Sequence, residues 1–154
     1  MDSLYSENLQ LEQLMPLIQE RLAAGQSVRF SPHGVSMLPM LRQGIDSVVL
    51  SPLPDQLNKY DLPLYQRDTG HYVLHRIVKV GDTYSCIGDN QFTIENGVRH
   101  DQMIALATAF YRGNRRIEFD AFSYRFYCRF WHYCRPVHHI CRWIKCQFMK
   151  VLRK

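Results

Sequence analysis

The stretch HYVLHRIVKV GD TYSCIG, residues 71–88, decides how the rest of the chain is read. Valine, isoleucine and tyrosine are dense in it, and such side chains suit a pleated, half-buried surface better than a helix. Gly81-Asp82 is a two-residue turn signal of the hairpin type, so the stretch predicts two antiparallel strands. Moving outward, the same vocabulary recurs in SVRF (27–30), SVVLS (47–51), LPLYQR (62–67), MIALATAFYR (103–112) and RIEFD (116–120). Turn residues separate these runs, DTG at 68–70 and GN at 113–114 among them. The alternation of strand and helix that makes a parallel nucleotide-binding sheet is missing, so antiparallel β structure is expected from residue 26 to 120.

Both flanks read differently. In residues 7–24, Leu11, Leu14, Met15, Ile18 and Leu22 recur at helical spacing and Gly25 supplies a stop. Pro16 predicts a kink or a late start in that helix. Residues 121–154 predict one or two amphipathic helices broken at Pro136, with Val137, Ile140, Cys141, Ile144, Phe148, Val151 and Leu152 on the apolar stripe. The expected fold class is therefore mainly β (α+β): an N-terminal helix (1–25), a β domain (26–120) and a basic helical tail (121–154).

Charge is divided along the same lines. Residues 1–120 hold 11 Lys/Arg and all 14 Asp/Glu, whereas residues 121–154 hold 8 Lys/Arg and no acid. A basic tail with Phe126, Phe130, Trp131, Trp143, Ile144 and Phe148 suits an anionic membrane surface, or equally a helix that packs its stripe on the β core. Nucleic acid is not an expected partner, because no recognisable nucleic-acid motif accompanies the charge. Nor does any apolar run reach the length of a membrane span. The opening MDSLYSENLQ carries two acids and no basic residue, unlike a secretory signal. Five cysteines without framework spacing read as reduced thiols, so an intracellular, cytoplasmic setting is expected, with the inner membrane face as the surface in question. Cys134, His138 and Cys141 fall at i, i+4 and i+7, but thiols and imidazoles packed among aromatics explain them more simply than a metal site. No metal or organic cofactor is expected, and the oligomeric state is open.

Two residues stand out chemically. In HGVSMLPMLR (33–42), Ser36 lies where Gly34 frees the backbone and Pro39 forbids strand continuation, so its hydroxyl can face a substrate. A serine hydroxyl becomes a nucleophile only when a base takes its proton. His75, set between apolar residues of its own run, is a candidate for that base in the neutral form. A turn serine and a core histidine are the ordinary alternatives. Lys79 and Lys59 are rival bases, although surface lysines are usually solvated.

The combination of GVSMLPML (34–41), SVVLSP (47–52), KYDLPLYQR (59–67), YVLHRIVKV (72–80) and IGDNQ (87–91) resembles the type I signal peptidase and LexA-type serine peptidase superfamily, over about residues 20–112. A histidine where bacterial members carry a lysine is similar to the endoplasmic-reticulum, archaeal and sporulation-associated branch. The polar N-terminal helix is like that of a compact member without a membrane anchor. The resemblance implies a serine endopeptidase acting on a peptide or protein substrate, with Ser36 as nucleophile and His75 as general base. It implies Asp89 as the acid that orients His75, a backbone N–H (that of Ser36) for the oxyanion, and Met37 and Pro39 beside the substrate. Glu95 stands where that branch has a further aspartate. A catalytically silent binding module at the membrane surface and a self-cleaving regulator are the competing functions.

Overall fold

The computed structural model describes the backbone of residues 2–151 and the side chains of residues 11–135 and 137. In chain order the elements are helix α1 (Asp2–Ala23), strands β1 (Val28–Phe30), β2 (Asp46–Pro52), β3 (Pro63–Gln66), β4 (Tyr72–Leu74), β5 (Arg76–Val80), β6 (Tyr84–Ile87) and β7 (Glu95–Val98), a 3-10 turn (His100–Gln102), strands β8 (Met103–Arg112) and β9 (Arg115–Glu118), and helix α2 (Phe122–Val151). The class is mainly antiparallel β with a helix at each end, as expected.

There are two sheets. One runs β1-β2-β8-β3-β4 with β9 also paired to β8, and the other runs β5-β6-β7; every pairing is antiparallel. The ten-residue β8 is the spine of the larger sheet because it pairs with three strands. Ala105, Ala107 and Ala109 along it are buried, and their small side chains let neighbouring elements pack closely.

The expected single strand over 71–80 is two strands, divided at His75. Residues before the break pair with β3 (Leu64 opposite Leu74), and those after it pair with β6 (Arg76 opposite Ile87). The chain crosses from one sheet to the other at this point. Tyr60 and Asp61 stabilise the crossing: Tyr60 N–H donates to Ile77 O (2.8 Å) and Ile77 N–H to Asp61 O (2.9 Å). Sequence reasoning passed over β7, because its Asn96-Gly97 reads as a turn.

The main core draws on both helices, the serine segment and the larger sheet. Met15, Ile18 and Leu22 of α1, Met37, Met40 and Leu41 of the serine segment, Leu50, Leu64 and Leu74 of the larger sheet, and Tyr124 and Cys128 of α2 are buried together. A second cluster, including Tyr65, Ile77, Cys86 and Met103, lies where the two sheets meet. Neither proline ends its helix. α1 runs on both sides of Pro16, with Met15 and Ile18 buried next to it, and α2 continues through Pro136 instead of breaking there. An interior proline costs a helix about 3 kcal/mol, and burying a stripe of side chains on the core offsets such a cost.

Candidate active site

Ser36 owes its position to the residues that follow it. Met37, Met40 and Leu41 are spaced like one helical turn and are all buried, so they anchor the turn in the core. Ser36 itself is left half-buried, and Gly34 before it takes a φ of 94°, a conformation that favours glycine. A cis Leu38–Pro39 peptide closes the turn.

Ser36 and His75 line one cleft of about 1250 Å³, together with Met37, Phe30, Leu74 and Phe92 among others. Pro39 stands exposed outside this lining, so of the two expected substrate contacts only Met37 reaches the cleft. Among the described residues no hydrogen bond joins Ser36 to the imidazole. Such contacts commonly tighten only when substrate is bound. Lys59 and Lys79 are exposed, whereas His75 is only 2% exposed.

The carboxylate beside His75 is Glu95, not Asp89. Glu95 Oε2 lies 3.8 Å from His75 Nδ1, and Tyr65 stands between them. The Tyr65 hydroxyl donates to Glu95 Oε2 (2.8 Å), and its oxygen is 3.3 Å from His75 Nδ1. A phenol has one proton. With that proton given to Glu95, the oxygen is left to accept from Nδ1–H, which leaves the lone pair on Nε2. Burial and the neighbouring Glu95 push the Tyr65 phenol far above its ordinary range, so it stays a donor. Burial works against the Glu95 charge, yet contacts with His75, Arg67 and Tyr65 outweigh it and hold the carboxyl at about 2. Arg67 contributes most directly, through Nε (2.9 Å to Oε1) and Nη2 (2.8 Å to Oε2).

Asp89 has another occupation. Both its oxygens accept from Arg76, Oδ1 from Nε and Oδ2 from Nη2, each at 2.8 Å, and the two side chains are 3% exposed. Arg76 Nη1 also donates to Tyr60 O (3.2 Å), Tyr124 Oη (2.8 Å) and Cys128 Sγ (3.0 Å). Burial alone would lower the pKa of this guanidinium, but Asp89 holds it well above the ordinary value. The physical reason for the exchange of acids is the break at residue 75. His75 sits at the break between the two sheets while Arg76 opens the smaller one, and the turn after β6 brings Asp89 to Arg76.

The 88–91 turn also grips the Ser36 segment. Asn90 N–H donates to Ser36 O (2.8 Å) and Asn90 Nδ2 to Val35 O (3.0 Å). A Cβ on Gly88 would lie 2.7 Å from Ser36 O, so only glycine permits this approach. From the other side α2 holds the turn: Trp131 Nε1 donates to Asp89 O (2.9 Å), and Arg135 Nη2 to Gly88 O (3.1 Å) and Gln91 O (2.8 Å). Gly88-Asp89-Asn90 is thus a clamp that ties Ser36, Arg76 and α2 into one unit.

Sequence reasoning missed Tyr65, Arg76 and the inward face of α2. Arg76 did carry a signal, since a cation inside an apolar run requires a buried partner. Tyr65 carried none, being indistinguishable by type from any core aromatic. Cys86, Cys128 and Cys134 are free thiols, and burial pushes Cys86 up to about 12. Of the three residues weighed as metal ligands, the side chains of His138 and Cys141 lie outside the described residues; among the described residues no cluster suited to a metal occurs. Compared with protein-family models, with curated proteins and with solved structures, the chain matches none.

Proposed function

We propose that this chain is a serine endopeptidase of signal-peptidase type that cleaves an extended segment of a peptide or protein. The observation that carries the reading is the convergence of Ser36 and His75 on one cleft, with the Nδ1 side of the imidazole occupied by Tyr65 and Glu95. The resemblance of GVSMLPML, HRI and GDN to that superfamily supports it independently of the geometry.

In this mechanism His75 Nε2 takes the Ser36 hydroxyl proton as the oxygen attacks the scissile carbonyl carbon. A backbone N–H, that of Ser36, stabilises the resulting oxyanion. The imidazolium gives its proton to the leaving amine as the peptide C–N bond breaks, and water, deprotonated by His75, then hydrolyses the acyl ester. Positive charge on the ring meets the Glu95 carboxylate, which is already ionised. Glu95 takes the orienting role that the resemblance gives to Asp89, and Asp89 acts as a scaffold residue.

β1 and β4, the two ends of the larger sheet, support binding of the substrate as a strand. β1 leads toward Ser36, β4 ends at His75, and Phe30, Tyr72, Val73 and Leu74 from these strands line the cleft. A free strand edge offers main-chain groups that fix an extended segment across the catalytic pair. The test is mass-spectrometric profiling of a diverse peptide pool incubated with the native chain, Ser36→Ala and His75→Ala. Cleavages present with the native chain and lost in both variants are expected. A folded native chain that cleaves nothing above the variants overturns the reading.

A further inference from the structure

Among its described side chains α2 shows two apolar faces, one packed on the fold and one exposed. Tyr124, Tyr127, Cys128, Trp131 and Arg135 recur at steps of three and four residues and turn inward onto Arg76, Asp89 and the 88–91 turn. On the far side Phe122, Phe126, Phe130, Tyr133 and Val137 recur at the same steps and are 84%, 59%, 54%, 74% and 61% exposed. At about 100° per residue these five positions fall within roughly 80° of arc, opposite the inward set. Phe126 and Phe130 stack on each other at 5.9 Å, and Arg125 and Arg129, both exposed, border the stripe. The sequence keeps the same spacing at Ile140, Ile144, Phe148 and Val151 to the end of the helix, a line about 45 Å long.

We infer that this stripe docks the protein on an anionic bilayer surface, with α2 lying in the plane of the interface. Charge selects the occupant. Residues 121–154 carry eight Lys/Arg and no Asp or Glu, so the helix supplies no counter-charge of its own and its outer face suits an anionic ligand. Anionic headgroups supply it continuously, and aromatic and aliphatic side chains enter the acyl boundary beneath them. A second copy of this chain would bring an equally basic helix against the first, and like charges repel. Among the described residues no helix is long and apolar enough to cross a membrane, so the helix lies on the surface and does not span it. The inward face holds the turn that grips Ser36, so a docked helix would set the cleft at a fixed position relative to the bilayer. The inference goes beyond the peptidase reading and does not depend on it.

The test is vesicle flotation of the full chain with phosphatidylcholine vesicles that either contain or lack phosphatidylserine, at low and high salt. The native chain is expected to float with the anionic vesicles, far less with the neutral ones, and less at high salt. Phe126→Ser with Phe130→Ser should lower the bound fraction at least about tenfold, with unchanged far-UV circular dichroism. Ile45→Ser, a change at an exposed apolar residue elsewhere (62% exposed), should float like the native chain. Arg125→Glu with Arg129→Glu gives a second variant pair whose loss of binding should grow as salt is lowered. Absence of flotation, or flotation of both double variants at the native level, overturns the inference. So does a self-association that the Phe126/Phe130 pair abolishes in a chain that does not float.

Discussion

His75 and Arg76 are neighbours in the chain, yet each meets a different carboxylate, and the two encounters differ in kind. Arg76 and Asp89 form a fork-to-fork pair sealed from water, with the remaining guanidinium donors spent on Met40, Tyr60, Tyr124 and Cys128. Glu95 is 27% exposed at the edge of the cleft, shared between Arg67 and Tyr65, and reaches His75 only through the phenol or across 3.8 Å. A fully desolvated pair has no freedom left to respond to a proton. A half-exposed carboxylate linked through one hydroxyl can respond to charge appearing on an imidazole. Burial therefore separates the acid that holds the site together from the acid suited to serve its chemistry.

The sharpest way to break this contrast is to remove one partner of the sealed pair. Asp89→Ala leaves an uncompensated buried guanidinium, which costs about 3–5 kcal/mol, and a fall of that size in urea-unfolding free energy is expected. Replacing both partners, Arg76→Met with Asp89→Leu, should recover most of that loss because no charge remains to be desolvated. Recovery separates a structural role from a catalytic one, since stability would return whatever happens to turnover.

Glu95→Gln is the complementary change. It keeps the shape but removes the charge, so peptide cleavage should fall about a hundredfold while the unfolding free energy falls by less than the about 3–5 kcal/mol expected of Asp89→Ala. A stability loss from Glu95→Gln as large as that from Asp89→Ala, with the rate unchanged, would erase the distinction between the two acids.

Gly88→Ala tests the clamp common to both. Its Cβ cannot coexist with Ser36 O at 2.7 Å, so the Ser36 segment must shift. A displacement near 1 Å costs about a hundredfold in rate, and stability should fall by about 1–3 kcal/mol as for other overpacked sites. Tyr65→Phe is milder. It removes the hydroxyl that links Glu95 to Nδ1 but keeps the ring, and a rate loss of about tenfold is expected, as for loss of an outer-shell partner. An undiminished rate would show that Glu95 acts on the ring directly.

These residues also mark where reading the sequence succeeded and where it stopped. Most strands were visible because β-branched and aromatic runs alternate with glycine turns, and β8 and the β8–β9 hairpin at Gly113-Asn114 follow that pattern closely. The break at His75 was invisible because strand propensity is local, whereas the break exists to let one run serve two sheets. Ser36 and His75 could be named from residue type and the order of motifs. Their support could not, since Tyr65 meets Glu95 across 30 residues and Asp89 meets Arg76 only after the chain has crossed sheets. One apolar stripe of α2 was legible as helical spacing, but its inward face was not, because that face is defined by its partners Arg76 and the 88–91 turn.

The finest test of the contrast is the pH dependence of stability that Glu95 contributes. Its carboxyl is held at about 2 in the folded chain, against an ordinary value of 4.5. A depressed carboxyl binds its proton more weakly folded than unfolded, so it adds stability above about pH 4.5 and loses that contribution as pH falls toward 2. Urea unfolding of the native chain should therefore weaken progressively across that window. Other carboxylates titrate there too, so the informative quantity is the difference between the native chain and Glu95→Gln. That difference should be constant above pH 5 and should shrink steadily below it. A difference that does not change with pH would mean that Arg67 and Tyr65 bind the amide as well as the carboxylate. Glu95 would then be a structural contact like Asp89, and the contrast between the two acids would fail.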